Sequence, residues 1–353
     1  MPPSSTATRS RLGAPSVAGR VLGGAALTVL AMAGPAAADA AGPSDYRSEV
    51  RGIEPAGDGV EATIRGGDSF LEITVDAGRT VVVEGYSGEP YLQVLGDGTV
   101  QRNRLSSATY LNDDRKGAAP IPPEVQEAMA DEGTAPEWET VADDGTYAWH
   151  DHRVHWMGDA RPPVARGHKV GGEYDPWRVP ITVDGTTAEI TGTLTYVESV
   201  TPLPWLALAV VAAAALVALG RARLGLHLGA AALVVASALA LVVGRAEWSS
   251  TPDSGGNPLL WALPLVALVT AVGALALARK GTGVVLALAS VASLSGWALF
   301  RLQVLLKPVL PTDLPFTLDR ATTGLALGVS VAAAVLAITS GALALPALAD
   351  DDE

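Results

Sequence analysis

The hydrophobic pattern of the chain changes near residue 200. Beyond it lie five long apolar runs, at about residues 203–220, 224–244, 259–278, 282–300 and 321–345. Each is long enough for a helix to cross a hydrocarbon layer of roughly 30 Å, at about 1.5 Å per residue. A backbone in lipid must satisfy its own hydrogen bonds, so the runs predict an all-α, five-helix transmembrane region over residues 202–349. A soluble helical core would need polar stripes that these runs lack. Before residue 200 the pattern is short and alternating. Residues 70–75 alternate in part, residues 80–86 are rich in β-branched side chains, and residues 91–95 and 99–102 flank Gly96-Asp97-Gly98. Residues 181–183 and 186–190 flank Asp184-Gly185, a hairpin signal because glycine accepts a positive φ. Residues 191–198 form a last strand that leads into Pro202. Pro122-Pro123-Glu124 opens a short helix reaching Ala130. Residues 117–123 and 159–172, rich in Gly, Ala and Pro, predict long loops. The expected fold is a β-sandwich-like extracytoplasmic domain over residues 39–201, followed by the helical bundle.

The N-terminus carries a different pattern. Arg9, Arg11 and Arg20 precede an apolar run over residues 21–33, then Ala36-Ala37-Ala38 and Asp39. A basic region, a short apolar region and an A-x-A site in that order predict a signal peptide over residues 1–38.

Charge supports a division into two parts. The 353 residues hold 37 acidic and 24 basic side chains, a formal net of -13, with no cysteine. Mean hydropathy is +0.30. Residues 39–201 hold 29 acidic against 13 basic groups, so the excess of negative charge sits in the β domain. The acidic balance argues against a nucleic-acid partner. The absence of cysteine excludes a disulfide scaffold and a thiolate metal cluster.

A cleaved leader places residues 39–201 outside the membrane and, after five crossings, the acidic tail 350–353 in the cytoplasm. The short loops at Arg221–Arg223 and Arg279–Lys280 then lie inside, as the positive-inside rule expects. Trp205, Trp248, Trp261 and Trp297 are expected at the outer interface. The expected localisation is multi-pass in the cell membrane, with the lipid bilayer and a membrane or envelope protein as partners. The only ionisable side chain expected within the apolar runs is His227, which argues against a transporter subunit. Gly225/Gly229 and Gly324/Gly328 have G-xxx-G spacing and are expected to serve helix packing.

The chemistry concentrates in Tyr147-Ala148-Trp149-His150-Asp151-His152-Arg153-Val154-His155-Trp156-Met157. Neutral imidazoles ligate Zn²⁺ and Cu²⁺. On a straight strand His150 and His152 share one face and His155 takes the other, so a three-histidine site needs a bend between Arg153 and His155. Asp151, Met157 and His168 are additional candidate ligands, Met157 for reduced copper. The competing readings are a hydrogen-bonded network of these histidines with Asp151 and Arg153 that serves the fold, and an anion or glycan pocket. No G-x-S-x-G, P-loop or dinucleotide motif is present, so no catalytic role is expected.

This histidine stretch, with Tyr91-Leu92-Gln93-Val94, Ala108-Thr109-Tyr110-Leu111-Asn112 and Trp177-Arg178-Val179-Pro180, resembles a group of uncharacterised actinobacterial membrane proteins. The resemblance implies a signal peptide, an outer β domain and a C-terminal helical bundle, and brings no activity with it. The expected function is display of an acidic binding or assembly domain outside the membrane, with copper or zinc at His150, His152 and His155. The alternatives are a structural or partner-docking protein with no metal, and a transporter subunit.

Overall fold

A computed structural model describes residues 41–339, apart from residues 56–57, 114, 132, 159–161, 163–169, 171, 222–224 and 253–255. The expected leader, the acidic tail and His168 lie outside the described residues.

Among the described residues ten strands build the head: β1 (Tyr46–Glu54), β2 (Val60–Arg65), β3 (Phe70–Val75), β4 (Val81–Glu84), β5 (Pro90–Val94), β6 (Val100–Asn103), β7 (Trp138–Ala142), β8 (Thr146–His150), β9 (Trp177–Val183) and β10 (Thr186–Tyr196). Two short helices, α1 (Ser107–Leu111) and α2 (Pro123–Ala130), interrupt them. One sheet runs β1-β10-β9-β4-β5-β6-β7 and the other β2-β3-β8, and every pairing is antiparallel. Alternation is clear in β9, where Trp177, Val179 and Ile181 point inward while Arg178 points out. Leu71, Ile73 and Val75 of the small sheet pack against Val81, Val83, Leu92, Val94 and Ile190 of the large one, a single apolar core between two sheets. The predicted hairpin is present, with Asp184 at φ 46° and Gly185 at φ 82°, and its outgoing strand continues unbroken to Tyr196.

Five helices follow: α3 (Leu203–Gly220), α4 (Gly225–Ser249), α5 (Leu259–Ala276), α6 (Gly281–Phe300) and α7 (Phe316–Thr339), each long and apolar enough to cross a membrane. Their exposed large side chains, such as Val210, Val211, Val269 and Val331, would be costly in water and suit lipid. Gly324 and Gly328 of α7 let the backbone of α3 come close. A Cβ on Gly324 would lie 2.7 Å from the Trp205 carbonyl, and one on Gly328 would overlap the Ala209 carbonyl. The spacing therefore serves packing within the bundle. Ser290 and Ser293 of α6 donate to the carbonyls of Ala267 (2.8 Å) and Leu263 (2.9 Å) on α5.

The helices reach beyond the apolar runs, and this brings ionisable groups other than His227 into them. α4 runs on through Glu247 and α7 starts ahead of Asp319, and both carboxylates are buried against Arg301 at the end of α6. Arg301 Nε lies 2.8 Å from Glu247, and Nη2 pairs with Glu247 and with both Asp319 oxygens at 2.9 and 3.0 Å. A carboxylate that is paired this closely can stay in a helix end where a hydropathy boundary would stop the helix. Trp297 faces the inside of the bundle. It is fully buried, donates to the Leu260 carbonyl at 2.8 Å and lies under the Arg301 guanidinium.

The head is joined to the bundle by more than the chain between β10 and α3. Ser44 and Val309 exchange backbone hydrogen bonds at 2.9 and 3.2 Å, Val200 N–H donates to the Leu306 carbonyl, and Lys307 pairs with Asp45 at 2.6 Å. Arg320 holds this α6–α7 connection from below through the carbonyls of Val304, Lys307 and Pro308.

Candidate metal centre

Strand β8 ends at His150, opposite Phe70 of β3. The chain then turns, and Val154 N–H closes on the Asp151 carbonyl at 3.1 Å. Asp151 fixes that turn. One carboxylate oxygen accepts from Arg153 N–H and Nε at 3.0 and 2.8 Å, the other from Trp149 Nε1 and Arg153 Nη2 at 2.8 and 2.7 Å. Burial alone would raise this carboxyl, but Arg153 and Trp149 outweigh it and hold its pKa down at about 2. The turn brings His155 back beside His150, against the straight-strand expectation, and the bend begins earlier than the one the sequence called for.

The three rings now face one another. Ring centroids are 4.4 Å apart for His150 and His155, 5.5 Å for His150 and His152, and 5.4 Å for His152 and His155. One ligand nitrogen from each histidine lies within 4.8 Å of the other two. Three points no more than 4.8 Å apart share a common point within about 2.8 Å of each, because an equilateral triangle of that side is the limiting case. A shift of roughly 0.7 Å per ring then gives the 2.0–2.1 Å of a zinc–imidazole bond.

Electrostatics keeps the lone pairs available. Burial, then Arg115 and His152, holds the His150 pKa down at about 3; burial, then His150 and Arg115, holds that of His155 at about 2. Both are neutral at ordinary pH. By strict hydrogen-bond geometry the ring nitrogens of His150 and Nε2 of His155 are buried without a partner among the described residues, although the Arg115 backbone lies near enough to the His150 ring to oppose the fall in its pKa. His155 Nδ1 lies 3.3 Å from the Trp156 carbonyl, which fixes the proton on Nδ1 and leaves the Nε2 lone pair unused.

The surroundings hold the third ring. The His152 ring stacks on Tyr86 at 5.8 Å, and the His152 backbone N–H donates to the Tyr86 hydroxyl at 2.9 Å. That hydroxyl donates in turn to Asn112. Gly117 sits with φ 61° against the same ring, where a Cβ would lie 2.6 Å from His152 Cε1. Arg115 anchors its segment through Asp68 at 2.6 Å and Ser69 at 2.9 Å.

Of the six residues singled out in the sequence, His150, His152 and His155 are brought together. Asp151 is not a ligand in this arrangement, because both of its oxygens are engaged by Arg153 and Trp149. Met157 is half-buried and lines the cleft next to His152. Sequence reasoning missed Tyr86, Asn112, Arg115 and Gly117, which come from distant segments, and the Glu247–Arg301–Asp319 group. For that group the only available signal was the presence of opposite charges just beyond three apolar runs. Comparison with protein-family models, characterised proteins and solved structures finds no match.

Proposed function

We propose that the protein is a membrane-anchored envelope protein whose β head lies outside the cell and binds zinc or copper through His150, His152 and His155. One observation carries this reading: two buried, neutral imidazoles, His150 and His155, each present a ring nitrogen lone pair without a hydrogen-bond donor among the described residues, next to a third imidazole. A buried polar nitrogen without a partner costs about 1–3 kcal/mol, and a metal ion satisfies it directly. The outside placement rests on the leader-like N-terminus and on the basic loop at Arg279–Lys280 on the side away from the head.

The test is calorimetric titration of the full chain in detergent with Zn²⁺ and with Cu²⁺. The wild type is expected to bind one ion and to gain about 2.7 kcal/mol of stability at an ion concentration of about 100 Kd. The His150→Ala/His152→Ala/His155→Ala variant is expected to lose both effects. Equal, weak binding by the two proteins, with a thermal stability insensitive to metal, overturns the reading in favour of a structural or docking role.

A further inference from the structure

His152 separates the cluster from a cleft of about 650 Å³ whose walls include Tyr86, His152, Arg153, Met157, Tyr174 and Arg178. That volume is in the range of small-molecule sites. Its charge is unlike the rest of the head. Residues 39–201 hold 29 acidic against 13 basic side chains, yet among the described residues no carboxylate lines this cleft, whereas two arginines do. Arg153 is occupied with Asp151 and the Glu84 carbonyl. Arg178 stands on the outward face of β9 and, among the described residues, spends one guanidinium nitrogen on Glu189; the others remain for a ligand.

The coordination count points to the same cleft. Three imidazoles leave a tetrahedral ion one ligand short. Among the described residues no further histidine or carboxylate joins the group. His150 and His155 are closed off by the core, and His152 is the half-exposed member on the cleft wall. A fourth ligand therefore arrives past His152, through a space lined by cationic and aromatic groups.

Resting on the metal reading above, we propose that the centre is an open one and that its fourth position takes a small organic anion from the cleft, a carboxylate or phosphate group whose charge Arg178 also meets. A metal ion and a guanidinium converging on one oxyanion is a strong recognition pair, because charge-assisted hydrogen bonds to a planar fork add direction to the ionic attraction.

The experiment uses the full chain in detergent, loaded with Co²⁺ as a visible-absorbing probe of the zinc site, and titrates it with acetate and with phosphate. Wild type is expected to show a change in the cobalt absorption spectrum that saturates with at least one of the two. Response to acetate alone assigns the carboxylate class, and response to phosphate alone the phosphoryl class; either supports the inference. Arg178→Gln is expected to keep its cobalt affinity and thermal midpoint while binding the anion about tenfold more weakly, the size of one charge-assisted hydrogen bond. A cobalt spectrum that forms normally and ignores both anions, as a site closed by the Met157 thioether would give, overturns the inference and leaves the metal reading standing. Unchanged anion affinity in Arg178→Gln overturns the role of that residue and with it the proposal. Failure of cobalt to bind at all removes the metal centre itself.

Discussion

The molecule buries two polar groups in very different ways. At the end of the bundle next to the head, Arg301 draws together Glu247 and Asp319 from two other helices, and all four carboxylate-to-guanidinium contacts are short and direct. Under the cleft of the head, three imidazoles approach one another, and ring nitrogens of His150 and His155 have no hydrogen-bond partner among the described residues. In the first group each charge meets an opposite charge within the chain, across three helices, although Arg301 Nη1 is buried without a hydrogen-bond partner among the described residues. In the second, no charged partner meets the orphaned nitrogens of His150 and His155 among the described residues, and the proposed metal would supply one. Burial alone thus does not mark a site; what separates the two is whether the chain supplies its own partners.

This contrast can be broken or sharpened by experiment. The largest effect is expected in the bundle. Arg301→Met strands two buried carboxylates and should cost about 3–5 kcal/mol, read as a lower thermal midpoint in detergent. Adding Glu247→Gln and Asp319→Asn to that change should restore most of the loss, since the stranded charges go with it. No recovery in the triple variant would mean that Arg301 acts through something other than its two carboxylates.

The next effect belongs to the head and depends on pH. The folded pKa values of about 3 for His150 and about 2 for His155 lie below the ordinary value of 6.5. The unfolded chain therefore takes up protons that the folded head refuses. The contribution is complete above pH about 6.5 and is lost as the pH falls toward the folded values. The expected slope is on the order of 1.4 kcal/mol per pH unit for each ring, with Arg115 and His152 adding to the resistance and Asp151 opposing it at His150. Denaturant unfolding of the metal-free protein between pH 7 and 5 measures this. The His150→Ala/His155→Ala variant should lose that dependence, and a wild type whose stability is flat over this range would contradict it.

The smallest effect separates ordinary packing from both groups. Ser290→Ala removes one bond from α6 to the Ala267 carbonyl and should cost under about 1 kcal/mol, with no effect on metal binding. A larger loss in the same melt would give the α5–α6 contact a weight that its geometry does not suggest.

The sequence made the two-part architecture legible because hydropathy reports lipid directly, and runs of 18–25 residues have few alternatives. The hairpin at Asp184-Gly185 was legible for a similarly local reason. β1 and β7 were not, because strands such as Tyr-Arg-Ser-Glu-Val and Trp-Glu-Thr-Val-Ala bury few large apolar groups. The H-x-H-x-x-H spacing located the cluster, yet a straight strand would have turned His155 away. The turn depends on Asp151 reaching both Trp149 and Arg153, a side-chain choice that periodicity does not encode. The supporting groups were invisible for a simpler reason: Tyr86 is 66 residues from His152, and Glu247 is 54 from Arg301.

The seam between head and bundle has a mechanical consequence. Ser44 and Asp45 near the entrance of the head and Val200 near its exit are all fastened to residues 306–309. A domain stitched at both of its ends to one loop has no free pivot at the short tether before α3. It keeps a set orientation on the helical bundle, and a protease nick at Thr201 would leave it seated.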